Sequence, residues 1–228
     1  MALANFRMEG HGIMTGIQRV VWRIDPVGAP QPWRHCSTCG TGRPFRSSGK
    51  TRLNANGRRL DAWLIYKCVS CDKTWNLPLF ERAAVSMIAE TDLQAMHSSD
   101  PAWVRAREFD LAALRQHCER IDIPSDLRVT KGIESAWPKA RSVAWLVLEL
   151  QIITQHPTGW RLDRLLAREL GFSRSELKAM QQSGGLRLTS APVNMLKKPL
   201  RGNVTARFIA SGLSEGQHAA VTRKVSDG

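Results

Sequence analysis

Four cysteines fall as Cys36-x-x-Cys39 and Cys68-x-x-Cys71, with 28 residues between the two pairs. A Cys-x-x-Cys turn presents two thiolates to one metal ion, and two such turns complete the tetrahedron that Zn²⁺ prefers. A closed four-cysteine site leaves no open position for a substrate, so it supplies folding energy rather than chemistry. The expected cofactor is therefore structural Zn²⁺ held by Cys36, Cys39, Cys68 and Cys71. His35 adjoins the first pair but is not needed as a ligand. Gly40 follows Cys39 where a knuckle turn favours positive φ. A redox role for these thiolates would require them to be exposed and reactive.

The elements that must position the two pairs are also legible. Phe45 to Leu53 and Leu60 to Lys67 read as two strands, with Asn56-Gly57 as the tight turn between them. Arg46, Lys50 and Arg52 fall at even positions, hence on one face of the first strand, unless Gly49 bulges it. Arg58 and Arg59 sit at the turn. The five make a basic finger suited to a phosphate backbone. The second strand is apolar on both sides (Leu64 and Tyr66, Trp63 and Ile65), which predicts cover on both faces. Trp63, Tyr66 and Trp75 read as core. A strand over Gln18–Ile24, stopped by Asp25-Pro26, is expected to open the same module, giving a zinc-ribbon-like β domain over 15–82 after a flexible 1–14.

Charge points the same way. The 228 residues carry a net charge of +13 with a pI near 10.3, the footprint of a polyanionic partner. Residues 1–82 have a net charge of +8, residues 83–160 of −2 and residues 161–228 of +7. Two basic modules thus flank a near-neutral middle. No run approaches the ~18 apolar residues of a spanning helix, and no signal-peptide pattern opens the chain, so no membrane partner is expected. Four of five cysteines in knuckles argue against disulfides and for a cytoplasmic setting. The fifth, Cys118, reads as a buried, inert thiol.

The middle, 83–159, reads as a helical and β scaffold. Asp100-Pro101 is an N-cap followed by Pro at N1, opening a helix over 102–118 with Val104, Leu111, Leu114 and Cys118 on its apolar stripe. Glu108, Asp110, His117 and Glu119 are placed on its solvated side. Ile121 to Trp137 reads as irregular and Val143 to Ile153 as a buried strand.

From Trp160 a third module begins. Leu162, Leu165, Leu166 and Leu170 form the apolar stripe of a helix that also carries Arg161, Arg164 and Arg168, and Gly171 stops it. Ser173 to Glu176 is a capping box, with Phe172 and Leu177 as the hydrophobic staple of a second helix. Arg174 and Lys178 face outward on that helix. Gly184-Gly185 ends it, Leu186 to Leu188 starts a strand, and Val204 to Ile209 is the last strand. This gives a small α/β domain over 160–210 and a flexible tail over 211–228. The fold class is α+β.

Two resemblances accompany these residues. The run His35-Cys36-Ser37-Thr38-Cys39-Gly40, Arg43-Pro44-Phe45, Ser48-Gly49-Lys50, Asn54-Ala55-Asn56-Gly57, Trp63 to Cys68, Cys71 and Thr74-Trp75-Asn76 resembles an uncharacterised bacterial family with a zinc-ribbon-like start, a domain of unknown function. That likeness extends over most of the chain and implies no activity. Residues 161–209 resemble the RNA-binding domain of the ribosomal protein S-four type, through Arg161-Leu162-Asp163, the Gly171-x-Ser173-Arg174-Ser175 turn and the Gly-Gly exit into Leu186-Arg187-Leu188. That likeness implies phosphate contacts from Arg161, Arg164, Arg174 and Lys178. Leu188-Thr189-Ser190 departs from the usual Val-Asn-Gly, and Gln181 and Gln182 replace commoner basic residues.

The sequence therefore predicts a non-enzymatic, zinc-stabilised protein that binds structured RNA, rRNA or tRNA, through the hairpin and the C-terminal helices. A zinc-dependent DNA-binding regulator is the alternative. An RNA-modifying enzyme is a further one, although no glycine-rich cofactor loop, catalytic metal motif or nucleophile–base pair is present.

Overall fold

The computed structural model describes residues 15–133, 145–189 and 195–226. The predicted flexible 1–14, and positions such as Trp137, Val143 and Ser190, lie outside them. The described residues form a mixed α+β structure with two five-stranded sheets and six α-helices. They divide into two compact units whose boundaries differ from the predicted modules.

The first unit takes the chain up to Asp25, then Arg128–Gln155, then Trp160 onward. Its strands are β1 (Thr15–Pro26), β7 (Leu127–Ile133), β8 (Trp145–Thr154), β9 (Leu186–Thr189) and β10 (Val204–Ile209), in the order β7-β1-β8-β10-β9. The strand predicted to open the ribbon is thus elsewhere. Gln18 to Ile24 pair in parallel with Leu148 to Thr154. Val20, Trp22 and Ile24 join Leu148, Leu150, Ile152, Ala206 and Phe208 in the core. Burying such a set, at about 1.5–3 kcal/mol per large side chain, outweighs adjacency in sequence. β7 occupies part of the stretch read as irregular.

The helices of this unit are α4 (Leu162–Leu170), α5 (Arg174–Gln182) and α6 (Glu215–Ser226). The leucine stripe of α4 is buried as the periodicity requires, and Gly171 closes the helix at φ +76°. The Ser173–Glu176 capping box is formed in both directions. The Gly-Gly exit has a steric cause: a Cβ on Gly185 would lie 2.3 Å from the Gly212 carbonyl oxygen. The stretch expected as a flexible tail holds α6, whose Val221 and Val225 are buried. Trp145 stacks on His218 with 4.1 Å between ring centroids and donates to Thr222 at 2.8 Å.

The second unit takes Pro26–Leu127 and His156–Gly159. Its sheet runs β5-β4-β3-β2-β6, with β2 (Gln31–Cys36), β3 (Thr41–Asn56), β4 (Arg59–Cys68), β5 (Thr74–Ala84) and the two-residue β6 (Ile121–Asp122). Three helices follow β5: α1 (Glu90–Ser98), α2 (Pro101–Glu108) and α3 (Leu111–Arg115). The single predicted helix over 102–118 is broken, because Asp110 turns to accept from the Ala113 N–H and caps a new helix. Glu108, expected on the solvated side, is buried.

On β4 the burial alternates strictly. Leu60, Ala62, Leu64, Tyr66 and Cys68 are buried, whereas Trp63 and Ile65 on the other face are half-buried. Cover on one face only replaces the predicted cover on both. The buried face packs with Phe45, Leu77, Val104 and Leu114.

No helix among the described residues is long and apolar enough to cross a membrane.

Candidate metal centre and basic surfaces

Each cysteine pair sits at the turn of an antiparallel hairpin, β2–β3 for the first and β4–β5 for the second. β2 delivers Cys36 and β4 delivers Cys68, and each strand turns back at once. The turns are near copies: Gly40 donates to the Cys36 carbonyl at 2.9 Å and Asp72 to the Cys68 carbonyl at 3.0 Å. Both residues have positive φ, +68° at Gly40 and +57° at Asp72. Glycine meets that demand freely, and aspartate is one of the few other residues that tolerates it.

These turns bring all four sulfurs within 4.8 Å of one another. Cys36 and Cys71 Sγ are 3.4 Å apart, and Cys39 and Cys68 Sγ 3.9 Å. A tetrahedron with Zn–S bonds of ~2.3 Å has edges of about 3.8 Å. The four cysteines could therefore hold a metal ion. The His35 ring is not part of this cluster.

The four thiols are not equivalent. The Cys39 backbone N–H donates to Cys36, and this bond, with others from Cys71 and Thr38, outweighs burial and lowers that thiol to about 6. Cys39 moves the opposite way, pushed up to about 12 by its hydrogen bond to Cys71, by burial and by its other cysteine neighbours. The sulfur contacts that stabilise one thiolate thus keep its neighbour protonated. A bound divalent cation would let all four ionise. Cys118 stands apart, half-buried, with its thiol directed at the Leu114 carbonyl and its pKa raised by burial.

The hairpin register corrects the predicted turn. Asn56 pairs with Arg59, so the two-residue loop is Gly57-Arg58 rather than Asn56-Gly57. Positive φ occurs at Gly57 (+58°) and not at Arg58, as a type II′ turn requires. Gly49 does lie in a bulge, at φ +70°. The bulge takes β3 from Ser47 to Thr51 while β4 passes only from Tyr66 to Leu64. Two extra residues preserve the alternation, so Arg46 and Arg52 keep one face.

The basic finger is only partly free. Arg46 is bound to the Asp72 carboxylate at 2.6 Å, which ties it to the second cysteine turn. Arg59 donates to the Arg82 carbonyl at 2.8 Å. Lys50, Arg52 and Arg58 are exposed. Tyr66 is fully buried and Trp75 half-buried, with ring centroids 5.2 Å apart, and the Arg34 guanidinium lies 4.4 Å over Trp75.

In the first unit, Arg161, Arg174 and Lys178 converge on one cleft of about 400 Å³, with Lys197, Asp163, Ser175, Gln181 and Leu196. Lys197 was not singled out from the sequence, although the Lys197-Lys198 pair was its visible signal. Asp163 is buried, and Arg161 donates to both its carboxylate oxygens from one guanidinium edge, Nε at 3.1 Å from Oδ1 and Nη2 on Oδ2. Arg161 is thereby held at the mouth of the cleft. Arg164 is not among its lining residues; its guanidinium lies 4.1 Å over the Trp160 ring, beside Arg168 at 4.4 Å.

Residues 53–192 match a family described as a protein of unknown function, DUF1062. That span is well over half of the chain and runs from the hairpin through α4, α5 and β9. Neither the curated proteins nor the solved structures offer a match.

Proposed function

The chain belongs to the DUF1062 family, and on that footing we propose that it is a zinc-stabilised protein that binds structured RNA, rRNA or tRNA, in the cytoplasm. The observation that carries the RNA reading is the α4–α5 cleft, where Arg161, Arg174, Lys178 and Lys197 gather around one opening. Asp163 pairs with Arg161 there, and Arg174, Lys178 and Lys197 add positive charge that a phosphate can neutralise. The order α4, glycine turn, capped α5 and β9 is what the likeness to the S-four RNA-binding domain calls for, and three of its four phosphate-contact positions line the cleft. The role is binding rather than catalysis. Zn²⁺ on Cys36, Cys39, Cys68 and Cys71 supplies the folding energy of the hairpin unit, which offers Lys50, Arg52 and Arg58 as a second basic contact.

Anisotropy titrations with a labelled RNA stem-loop and with duplex DNA, over a salt series, test this. The stem-loop is expected to bind with a steep salt dependence. Replacing Arg174 and Lys178 with Gln together should reduce the slope of log K against log[salt] by about 1.5. An unchanged slope removes the cleft from the interface, and tighter binding to duplex DNA turns the reading towards a transcriptional regulator.

A further inference from the structure

Away from the cysteines and the helix cleft, the sheet of the first unit carries a concentration of charge that the proposed function does not use. Register places Arg19 of β1 beside Glu149 of β8, Glu149 beside Arg207 of β10, and Arg207 beside Arg187 of β9. Side chains directly opposite across a ladder share a face. The four charges therefore form one row over four adjacent strands, about 14 Å long at the usual ~4.8 Å strand spacing.

The row is organised around its one acid. The Glu149 side chain is 10% exposed; it takes a 2.8 Å hydrogen bond from Arg207 and lies 3.7 Å from Arg19. The two arginines stay 53% and 46% exposed. Arg187 is exposed as well and directly faces Arg207. Like charges opposite one another destabilise a sheet, and one carboxylate cannot neutralise three guanidiniums. A local conflict of this kind is expected where a surface serves a ligand.

We propose that this row is a second RNA contact, in which Arg19, Arg207 and Arg187 take successive phosphates of a strand lying across the sheet. The inference rests on the RNA reading above. Guanidiniums already held by Glu149 lose little freedom on binding. The next row on the same face supplies Gln151, Thr205 and Thr189, half-buried polar side chains of the kind that hydrogen-bond phosphate and sugar. On the other flank Ile17, Val147 and Ile209 are apolar. A line of three guanidiniums suits the regular charge of a phosphate chain better than an acidic peptide, whose affinity would centre on an aromatic or aliphatic anchor.

The test uses the full chain and the labelled RNA stem-loop. Replacing Arg19 and Arg187 with Gln together leaves the Arg207–Glu149 pair in place. The expected result is an approximately tenfold loss of affinity near physiological salt, with the salt slope reduced by about 1.5. Arg187→Thr alone should weaken RNA binding while holding or raising Tm, because it removes the like-charge pair. That combination separates a ligand contact from damage to the fold. Unchanged affinity and slope in the double variant, with the Arg174/Lys178 variant still impaired, would overturn the row and leave the cleft standing. No salt-dependent RNA binding by the wild-type protein would overturn both. Loss of polyglutamate binding with RNA binding intact would assign the row to an acidic protein partner instead.

Discussion

The arginines of the hairpin divide by whether another group already holds them. Arg46 and Arg59 are tied to Asp72 and to the Arg82 carbonyl, while Arg52 and Arg58 project freely from the same hairpin. Arg164 rests on Trp160, its charge spread over an indole face. The core also holds an unpaired group: the Tyr66 hydroxyl is buried and has no hydrogen-bond partner among the described residues. Burial drives its pKa upward, with Glu108 and Cys118 adding to the effect, so the phenol stays protonated. A buried donor without a partner costs about 1–3 kcal/mol. Tyr66→Phe is therefore expected to leave stability unchanged or raise it by about 1 kcal/mol in urea unfolding; a loss above that size would mean the hydroxyl is satisfied after all.

Among the elements, α5 carries the clearest local signal. Ser173 accepts from the Glu176 N–H at 3.1 Å, and Glu176 accepts from the Ser173 N–H at 2.7 Å. The backbone bond from Ser173, followed by the one to its hydroxyl, holds the Glu176 carboxyl below the ordinary carboxylate value. The folded-state pKa is thus the depressed one. The contribution of Glu176 is present above the unfolded value of about 4.3 and is lost as pH falls through the folded value. The stability difference between wild type and Glu176→Ala should accordingly be larger at pH 6 than at pH 3; a difference constant across that range would sink the assignment. Ser173→Ala should cost about 1 kcal/mol in the same measurement. Because α5 presents Arg174 and Lys178, the cap also keeps the cleft in shape.

At the scale of the whole molecule, the cysteines and the two basic helices belong to different compact units. The cysteine cluster is part of the core of its own unit, packed with Phe45, Leu64, Tyr66 and Leu77. Chelation, or Cys68→Ser, should therefore lower the melting transition of the hairpin unit and leave that of the unit holding α4 and α5 near its original temperature. Calorimetry with and without chelator, together with a metal assay expected to find one zinc per chain, checks this. A single transition that ignores chelation would remove the metal from the folding scheme.

What could be read from the chain was whatever is specified over a few residues. The knuckles, the α4 stripe, the capping box and the bounds of β10 follow from spacing, cap chemistry and periodicity, each satisfied locally. The long-range partners were not legible. Nothing within Gln18–Ile24 says that it pairs with β8, more than 100 residues away, rather than with the nearby hairpin. Nor could the pattern around Glu108 show that Asp110 would cap a new helix and leave that glutamate buried. The charged row across β1, β8, β10 and β9 was equally hidden, because its members come from four separated segments. Strand alternation assigns each a face, but only the choice of neighbours and register, settled by burial of Val20, Trp22, Leu150 and Phe208 together, sets the four in line.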